Sequence, residues 1–292
     1  MEVSAPYVFQ TDHAIVRDAY LTKDNYHVSF NEVDNVQQNL CVVYFSSNEV
    51  YYPNTETAFK RAIIENDKYE WRNNTLSYAY KHVFIRDIQK QWYMEGINNE
   101  INTPVELLKL LQSLTAGLRV YTVGSSAGGF AAMLFGNLLK AERVYAFNSQ
   151  LNLNIVMKNS TPSIDPILFK YACIPTRVGY YKIEDFINRE VECFYFQSSK
   201  SSMDIEQWES FGRKEVINRI AFKTSNHGFP FLRHNLQYVM SLSPDLLKNM
   251  ARRENNPFAF AVSIDGLFKT IVVVGKAIFG RVRKKMKEKS ES

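Results

Sequence analysis

Short runs of apolar, β-branched and aromatic residues recur along the chain, at Leu40–Phe45 (LCVVYF), His82–Ile85 (HVFI), Arg119–Val123 (RVYTV), Arg143–Phe147 (RVYAF), Val191–Phe196 (VECFYF) and Ile217–Phe222 (INRIAF). Runs of this length without polar alternation suit strands covered on both faces. Between them lie stretches with helical spacing: Thr55–Glu65, Thr103–Leu114 with Pro104 in its first turn, Ala127–Leu139, Lys182–Asn188, Asp204–Gly212 and Phe231–Met240. Regular alternation of the two predicts an α/β fold, with a mostly parallel central sheet and helices on both faces. Upstream, HAIVRDAY and YHVSFNEV alternate in the manner of an antiparallel hairpin at the sheet edge. Residues 148–188 form the longest interval between strands and lack a clean period, and their length and position suggest a lid or an acceptor-binding insertion. No repeat or linker divides the chain, so residues 1–250 are read as one domain and residues 251–292 as an amphipathic segment with a basic tail.

Composition adds exclusions. At 292 residues, 46% hydrophobic and 22% charged, the chain is globular rather than disordered or fibrous. The net charge of +5 is concentrated in RVRKKMKEK (281–289), without which the remainder is formally neutral, so no nucleic-acid-binding face is expected. Cys41, Cys173 and Cys193 are too far apart in sequence to suggest a framework and read as buried thiols of a reducing compartment. The N-terminal residues lack a signal-peptide pattern, so a cytoplasmic location is expected. The stretch FAFAVSIDGLFKTIVVVGKAIFG is interrupted by Asp265, Lys269 and Lys276, which makes it a poor spanning helix. Two readings stand: an interfacial helix whose basic end seeks an anionic membrane surface, or a segment at 258–279 docked on the domain.

The chemistry centres on Gly124-Ser125-Ser126-Ala127-Gly128, placed between the strand run RVYTV and the helix run FAAMLFGNLL. A sharp strand-to-helix turn pushes a serine hydroxyl out of the sheet, and glycines are needed where the flanking backbone crowds. Ser126, not Ser125, has the G-x-S-x-G spacing and is the candidate nucleophile. The backbone N–H of Ala127, at the positive end of the following helix, is the first candidate oxyanion donor. The alternative is a glycine-rich turn that only packs tightly or holds a phosphate.

Of five histidines, His227 alone follows the last strand in a polar loop (SNHGF), as the order serine, acid, histidine requires. The acid should hang from the loop after VECFYF, where Asp204 precedes Glu206; Asp165 and Asp185 are runners-up, and a helix N-cap is the competing role for Asp204. A second oxyanion donor is expected in Phe45-Ser46-Ser47-Asn48, with Ser47 or Asn48 preferred and Ser46 close behind. No metal-ligand set is read from the sequence.

On YTVGSSAGGFAAMLFGNLL, the Asp204 loop and NHGFPFLRHNLQYVM, the chain resembles α/β-hydrolase-fold enzymes of bacterial surface-polysaccharide clusters, in particular capsular polysaccharide O-acetyltransferases of the meningococcal serogroup A type. DIQKQWYMEG (Asp87–Gly96) is similar to such relatives too, without an assignable role. The resemblance implies a serine acyl-enzyme that takes acetyl from acetyl-CoA as co-substrate and passes it to a carbohydrate hydroxyl. An esterase or deacetylase shares every step up to the acyl-enzyme, and a non-catalytic member of a glycan assembly complex is a further alternative.

Overall fold

The computed structural model describes residues 6–276. Seven strands form one sheet: β1 (Tyr26–Phe30), β2 (Gln37–Phe45), β3 (Ala79–Ile85), β4 (Arg119–Ser125), β5 (Arg143–Phe147), β6 (Glu192–Ser198) and β7 (Asn218–Phe222). Their order is β1-β3-β2-β4-β5-β6-β7. Only β1 runs antiparallel, pairing Tyr26 with Ile85 and Phe30 with Lys81. The chain steps from β2 outward to β3 and then crosses back to β4, so the winding reverses between β2 and β4. That reversal opens a crevice at the carboxyl ends of the two strands, where α/β sheets place their ligands. Phe45, the last residue of β2, pairs with Gly124 there.

Every central strand is buried on both faces. Cys41, Val43 and Phe45 of β2 join a core with the helices Pro104–Thr115 and Ala127–Leu138, while Leu40, Val42 and Tyr44 face an aromatic core of Tyr121, Tyr145, Phe147, Phe194 and Phe196. The Ala127–Leu138 helix is apolar all round, and eleven of its twelve residues are buried. Thr103 caps Pro104–Thr115 by accepting from the Glu106 N–H at 3.1 Å, with Pro104 in the first turn as expected.

The amino-terminal hairpin is corrected. YHVSF is edge strand β1, but HAIVRDAY is the helix Ala14–Thr22, capped by His13 Nδ1 accepting from the Ile15 N–H. Val16, Ala19 and Tyr20 follow helical rather than alternate spacing, and Val16 and Ala19 are fully buried. Three helical expectations are also revised. Lys182–Asn188 contains only a single 3-10 turn, Ile183–Asp185; Thr55–Glu65 is an α-turn followed by a π-helix, Lys60–Glu65; Phe231–Met240 begins as a 3-10 turn and becomes α-helical at Leu236. Cys41 and Cys193 are buried thiols whose burial pushes them up to about 12, whereas Cys173 is exposed.

Residues beyond 250 continue to pack on the sheet. Asn255 bridges to Phe222, and Phe260 in the helix Pro257–Asp265 meets Phe222 and Phe231 edge-on. His234 hydrogen-bonds Asp265 of that helix. Among the described residues no helix is long and apolar enough to cross a membrane. The basic run 281–289 lies outside the described residues.

Candidate active site

Ser126 sits between the last residue of β4 and the first of the Ala127–Leu138 helix with φ 52° and ψ −121°. A non-glycine residue reaches that region only at a cost of about 1–3 kcal/mol, so the surrounding structure must impose it. Two glycines make the turn sterically feasible. A Cβ on Gly124 would lie 2.0 Å from the Gly128 carbonyl oxygen, and one on Gly128 would lie 2.3 Å from that of Phe45. The first gap lets the helix fold back over the strand, and the second seats its amino end against the end of β2. The Ser126 N–H donates to the Phe147 carbonyl at 2.9 Å, tying the turn to β5. This strand–serine–helix elbow, set at the winding reversal of a mostly parallel sheet, decides the architecture.

The chain has an α/β-hydrolase fold.

The structure brings Ser126, His227 and Asp204 together. Ser126 Oγ lies 3.0 Å from His227 Nε2, and His227 Nδ1 lies 2.9 Å from Asp204 Oδ1. Acceptance at Nδ1 by a carboxylate fixes the tautomer with its proton on Nδ1, leaving Nε2 free to take the serine proton. Asp204 is 1% exposed, and its Oδ2 has no hydrogen-bond partner among the described residues. Its place differs from the N-cap considered above: Ser201 is the cap of helix Ser202–Glu209, and Asp204 stands in the first turn. The other carboxylates are elsewhere. Asp165 binds Ser160, Asp185 is exposed on its 3-10 turn, and Glu206 is exposed and contacts Asn159.

The histidine loop is clamped by residues that sequence reasoning passed over. The Asn226 carbonyl, one residue before His227, accepts from Asn148 Nδ2 at 3.1 Å and from Ser198 Oγ at 2.6 Å. Asn148 in turn accepts the Ser198 N–H at 2.7 Å, and is fully buried with φ 42°. Asn148 and Ser198 directly follow or end β5 and β6, so the rule that α/β sites gather at strand carboxyl ends was the available signal. Gly228, with φ 114°, lets the loop turn immediately after the imidazole.

The oxyanion side is asymmetric. Among the described residues no protein acceptor is recorded for the Ala127 N–H, which stands at the helix amino end beside Ser126. The Ser47 N–H, expected to face the same place, instead donates to the Glu70 carboxylate at 2.7 Å. The cause is local: Ser47 Oγ accepts from the Glu49 N–H and starts a 3-10 turn, and Glu70 arrives from a distant loop. Ser46 is committed as well, its N–H extending the sheet ladder to the Ile85 carbonyl at 2.9 Å. Asn48 opens the 3-10 turn and is half-buried. On the other flank, Gln150 Nε2 lies 3.3 Å from Ser126 Oγ. A cleft of about 680 Å³ beside Trp208, Arg219 and Arg252 and one of about 720 Å³ beside Tyr51, Tyr52 and Arg72 are not lined by Ser126, His227 or Asp204. Among the described residues no group of His, Cys, Asp or Glu side chains is arranged to hold a metal ion.

No family model matches the sequence, nor does any curated protein. Solved structures do. The capsule O-acetyltransferase of Neisseria meningitidis serogroup A, in complex with caged gadolinium, is similar with 14% identity and a TM-score of 0.48, over 79% of this chain and 92% of that one. The S-formylglutathione hydrolase FrmB of Staphylococcus aureus is similar with 10% identity and a TM-score of 0.44, over 77% of this chain and 92% of that one.

Proposed function

We propose that the chain is a serine-dependent acyl-group enzyme that moves acetyl from acetyl-CoA to a hydroxyl of a bacterial capsular or other surface polysaccharide. The observation that carries the serine chemistry is the hydrogen-bonded line Asp204–His227–Ser126, with Ser126 held at φ 52°. Ser126 Oγ attacks the acetyl carbonyl while its proton passes to His227 Nε2; Asp204 stays ionised and stabilises the imidazolium. Charge that develops on the carbonyl oxygen falls beside the Ala127 N–H and the helix amino end. His227 then returns the proton to the leaving thiolate. In the second half the same imidazole takes a proton from the acceptor hydroxyl, whose oxygen bonds to the acyl carbon; the bond from that carbon to Ser126 Oγ breaks, and His227 gives the proton to Oγ. The choice of acetyl-CoA and a glycan rests on the resemblance of the sequence around Ser126, Asp204 and His227 to capsular polysaccharide O-acetyltransferases, since no stretch of the chain is itself a CoA-binding motif.

Hydrolysis is the second reading, and the exposure of His227 favours it: the side chain is 32% exposed, so water reaches the base. One experiment separates the readings. A fluorophosphonate probe should label the protein and fail on Ser126→Ala; a native protein that does not label removes the serine chemistry altogether. Purified protein with acetyl-CoA should then release CoA faster when an acetyl-acceptor oligosaccharide is added, with acetylated glycan seen by mass spectrometry. CoA release or ester cleavage that ignores the glycan assigns a hydrolase.

For location, we infer that the carboxyl-terminal helix rests on an anionic membrane surface. Residues 267–276 are helical, and Leu267, Phe268, Ile271 and Val272 share one face and are 56%, 83%, 53% and 38% exposed. The basic run 281–289 follows that face in sequence. An apolar face joined to basic charge suits an interface rich in anionic lipid. Full-length protein should co-sediment with phosphatidylserine-containing vesicles, and Phe268→Glu should weaken this about tenfold. Equal binding to pure phosphatidylcholine vesicles, or none to either, overturns the assignment.

A further inference from the structure

The segment Asp87–Gly96 noted in the sequence is a buried strap beside the site. Asp87 Oδ1 accepts from the N–H groups of Gln89 and Lys90, and Oδ2 from those of Gln91 and Tyr93, over 2.7–3.0 Å. Gathered on one carboxylate, these residues turn sharply: Lys90, Trp92 and Tyr93 have φ of 58°, 51° and 62°. Three non-glycine residues in the left-handed region within four positions is a concentration of strain. Its visible product is the placement of two side chains. The Tyr93 hydroxyl donates to the Ser46 carbonyl at 2.7 Å, and Trp92 Nε1 donates to Gln150 Oε1 at 3.1 Å.

The second contact has a chemical consequence. An indole nitrogen can only donate, so the Gln150 oxygen must face Trp92 and the amide nitrogen must face the other way. That nitrogen lies 3.3 Å from Ser126 Oγ, and Gln150 is 4% exposed. Trp92 therefore removes the ambiguity of the amide and leaves a buried N–H donor aimed at the reacting serine. Meanwhile the Ser46 and Ser47 N–H groups of the loop after β2 are already bonded, to Ile85 and to Glu70.

Resting on the serine chemistry proposed above, we propose that Gln150 is a catalytic residue: its side-chain amide is an oxyanion donor, complementing the Ala127 N–H. When Ser126 Oγ bonds to the carbonyl carbon, the carbonyl π electrons move to its oxygen, which becomes geminal to Oγ. The serine proton goes to His227 Nε2. The amide that rests on Oγ in the free enzyme shifts to the neighbouring oxygen, donating a hydrogen bond and transferring no proton. On collapse the electrons return, the bond to the leaving group breaks, and that group leaves with the proton from His227. A 3.3 Å resting contact is long for N–H···O, as such contacts are before substrate tightens them.

The test compares wild type, Gln150→Met, Gln150→Glu and Trp92→Phe in p-nitrophenyl acetate turnover, with thermal unfolding as the control for folding. Removing one oxyanion donor costs about 100-fold or more in kcat. Gln150→Met should lose about 100-fold in kcat with KM within about twofold, and should bind an arylboronic acid, which forms a tetrahedral serine adduct, correspondingly less tightly. Gln150→Glu, which keeps the oxygen for Trp92 but places a carboxylate by the oxyanion, should fall lower still. Trp92→Phe, with the amide present but unlocked, should lose about tenfold. A reactive wild type beside a folded Gln150→Met with unchanged kcat overturns this inference alone. A wild type with no Ser126-dependent turnover overturns it together with the serine reading.

Discussion

The elbow at Ser126 and the strap at Asp87–Gly96 both force side-chain-bearing residues to positive φ beside the same crevice, and they do so by opposite means. At the elbow, space is created: glycines at 124 and 128 remove the side chains that would collide with Gly128 and Phe45 backbone. In the strap only its last residue, Gly96, gives up a side chain, where a Cβ would lie 1.9 Å from the Ile101 carbonyl oxygen; the turn at residues 90–93 gives up none. Lys90, Trp92 and Tyr93 keep their bulk, and the conformation is enforced from inside by four N–H groups converging on Asp87. The first device is steric and sits in the residue types; the second is electrostatic and sits in one buried carboxylate. A steric device should fail abruptly when a methyl group is added. An electrostatic one should fail by degrees and respond to pH.

The largest effect expected from this contrast is at Gly128. In Gly128→Ala the new methyl meets the Phe45 carbonyl at 2.3 Å, a backbone atom that cannot rotate away. Either the end of β2 or the helix start must move, costing about 3–5 kcal/mol in urea unfolding, with turnover lost in step. A variant of wild-type stability shows that the glycine is not sterically required and removes the contrast. Asp87→Asn comes next. Its amide nitrogen would face N–H groups where a carboxylate oxygen now accepts from Gln91 and Tyr93, leaving two buried donors unsatisfied. Unsatisfied buried donors cost about 1–3 kcal/mol each, less where the strap relaxes, so about 2–4 kcal/mol is expected at pH 7.5. Because the strap aims Trp92, kcat should fall beyond what the folded fraction explains.

The same contrast decides what the sequence could disclose. The sheet was legible because each central strand is apolar on both faces, and the elbow because glycines mark the places where backbone crowds. His227 was legible from chain order. The strap was visible only as a motif without a role, since lysine, tryptophan and tyrosine carry no sign of positive φ and Asp87 looks like any acidic residue. Ser47 misled for a related reason: the direction of its N–H depends on Glu70, brought in by the fold. Asn148 and Gln150 were missed because their partners, Asn226 and Trp92, lie 78 and 58 residues away. The helix Ala14–Thr22 was misread because eight residues of mixed apolar and polar character satisfy both periods, and burial of Val16 and Ala19 together is what selects one.

The smallest expected effect is also the most specific to the strap. Burial pushes the Asp87 carboxyl up to about 6 from an ordinary 3.8, and the four N–H donors pull it back only in part. The folded protein thus holds this proton more tightly than the unfolded chain. Stability from this group is fully present below about 3.8 and is lost as pH rises through about 6. A shift of about two units sets an upper limit near 3 kcal/mol. Lys90 has the opposite sign: burial pulls it down to about 8, so its contribution falls as pH drops through that value and is flat below it. Urea titrations between pH 4 and 7.5 therefore avoid most of the Lys90 transition. Subtracting the Asp87→Asn profile from that of wild type cancels the other carboxyl groups, among them Asp165, which burial also raises. The wild-type advantage should shrink as pH rises across this range. A difference that stays constant with pH means that Asp87 is ionised throughout, its N–H donors outweighing burial, and the strap is then held by hydrogen bonds whose strength pH does not tune.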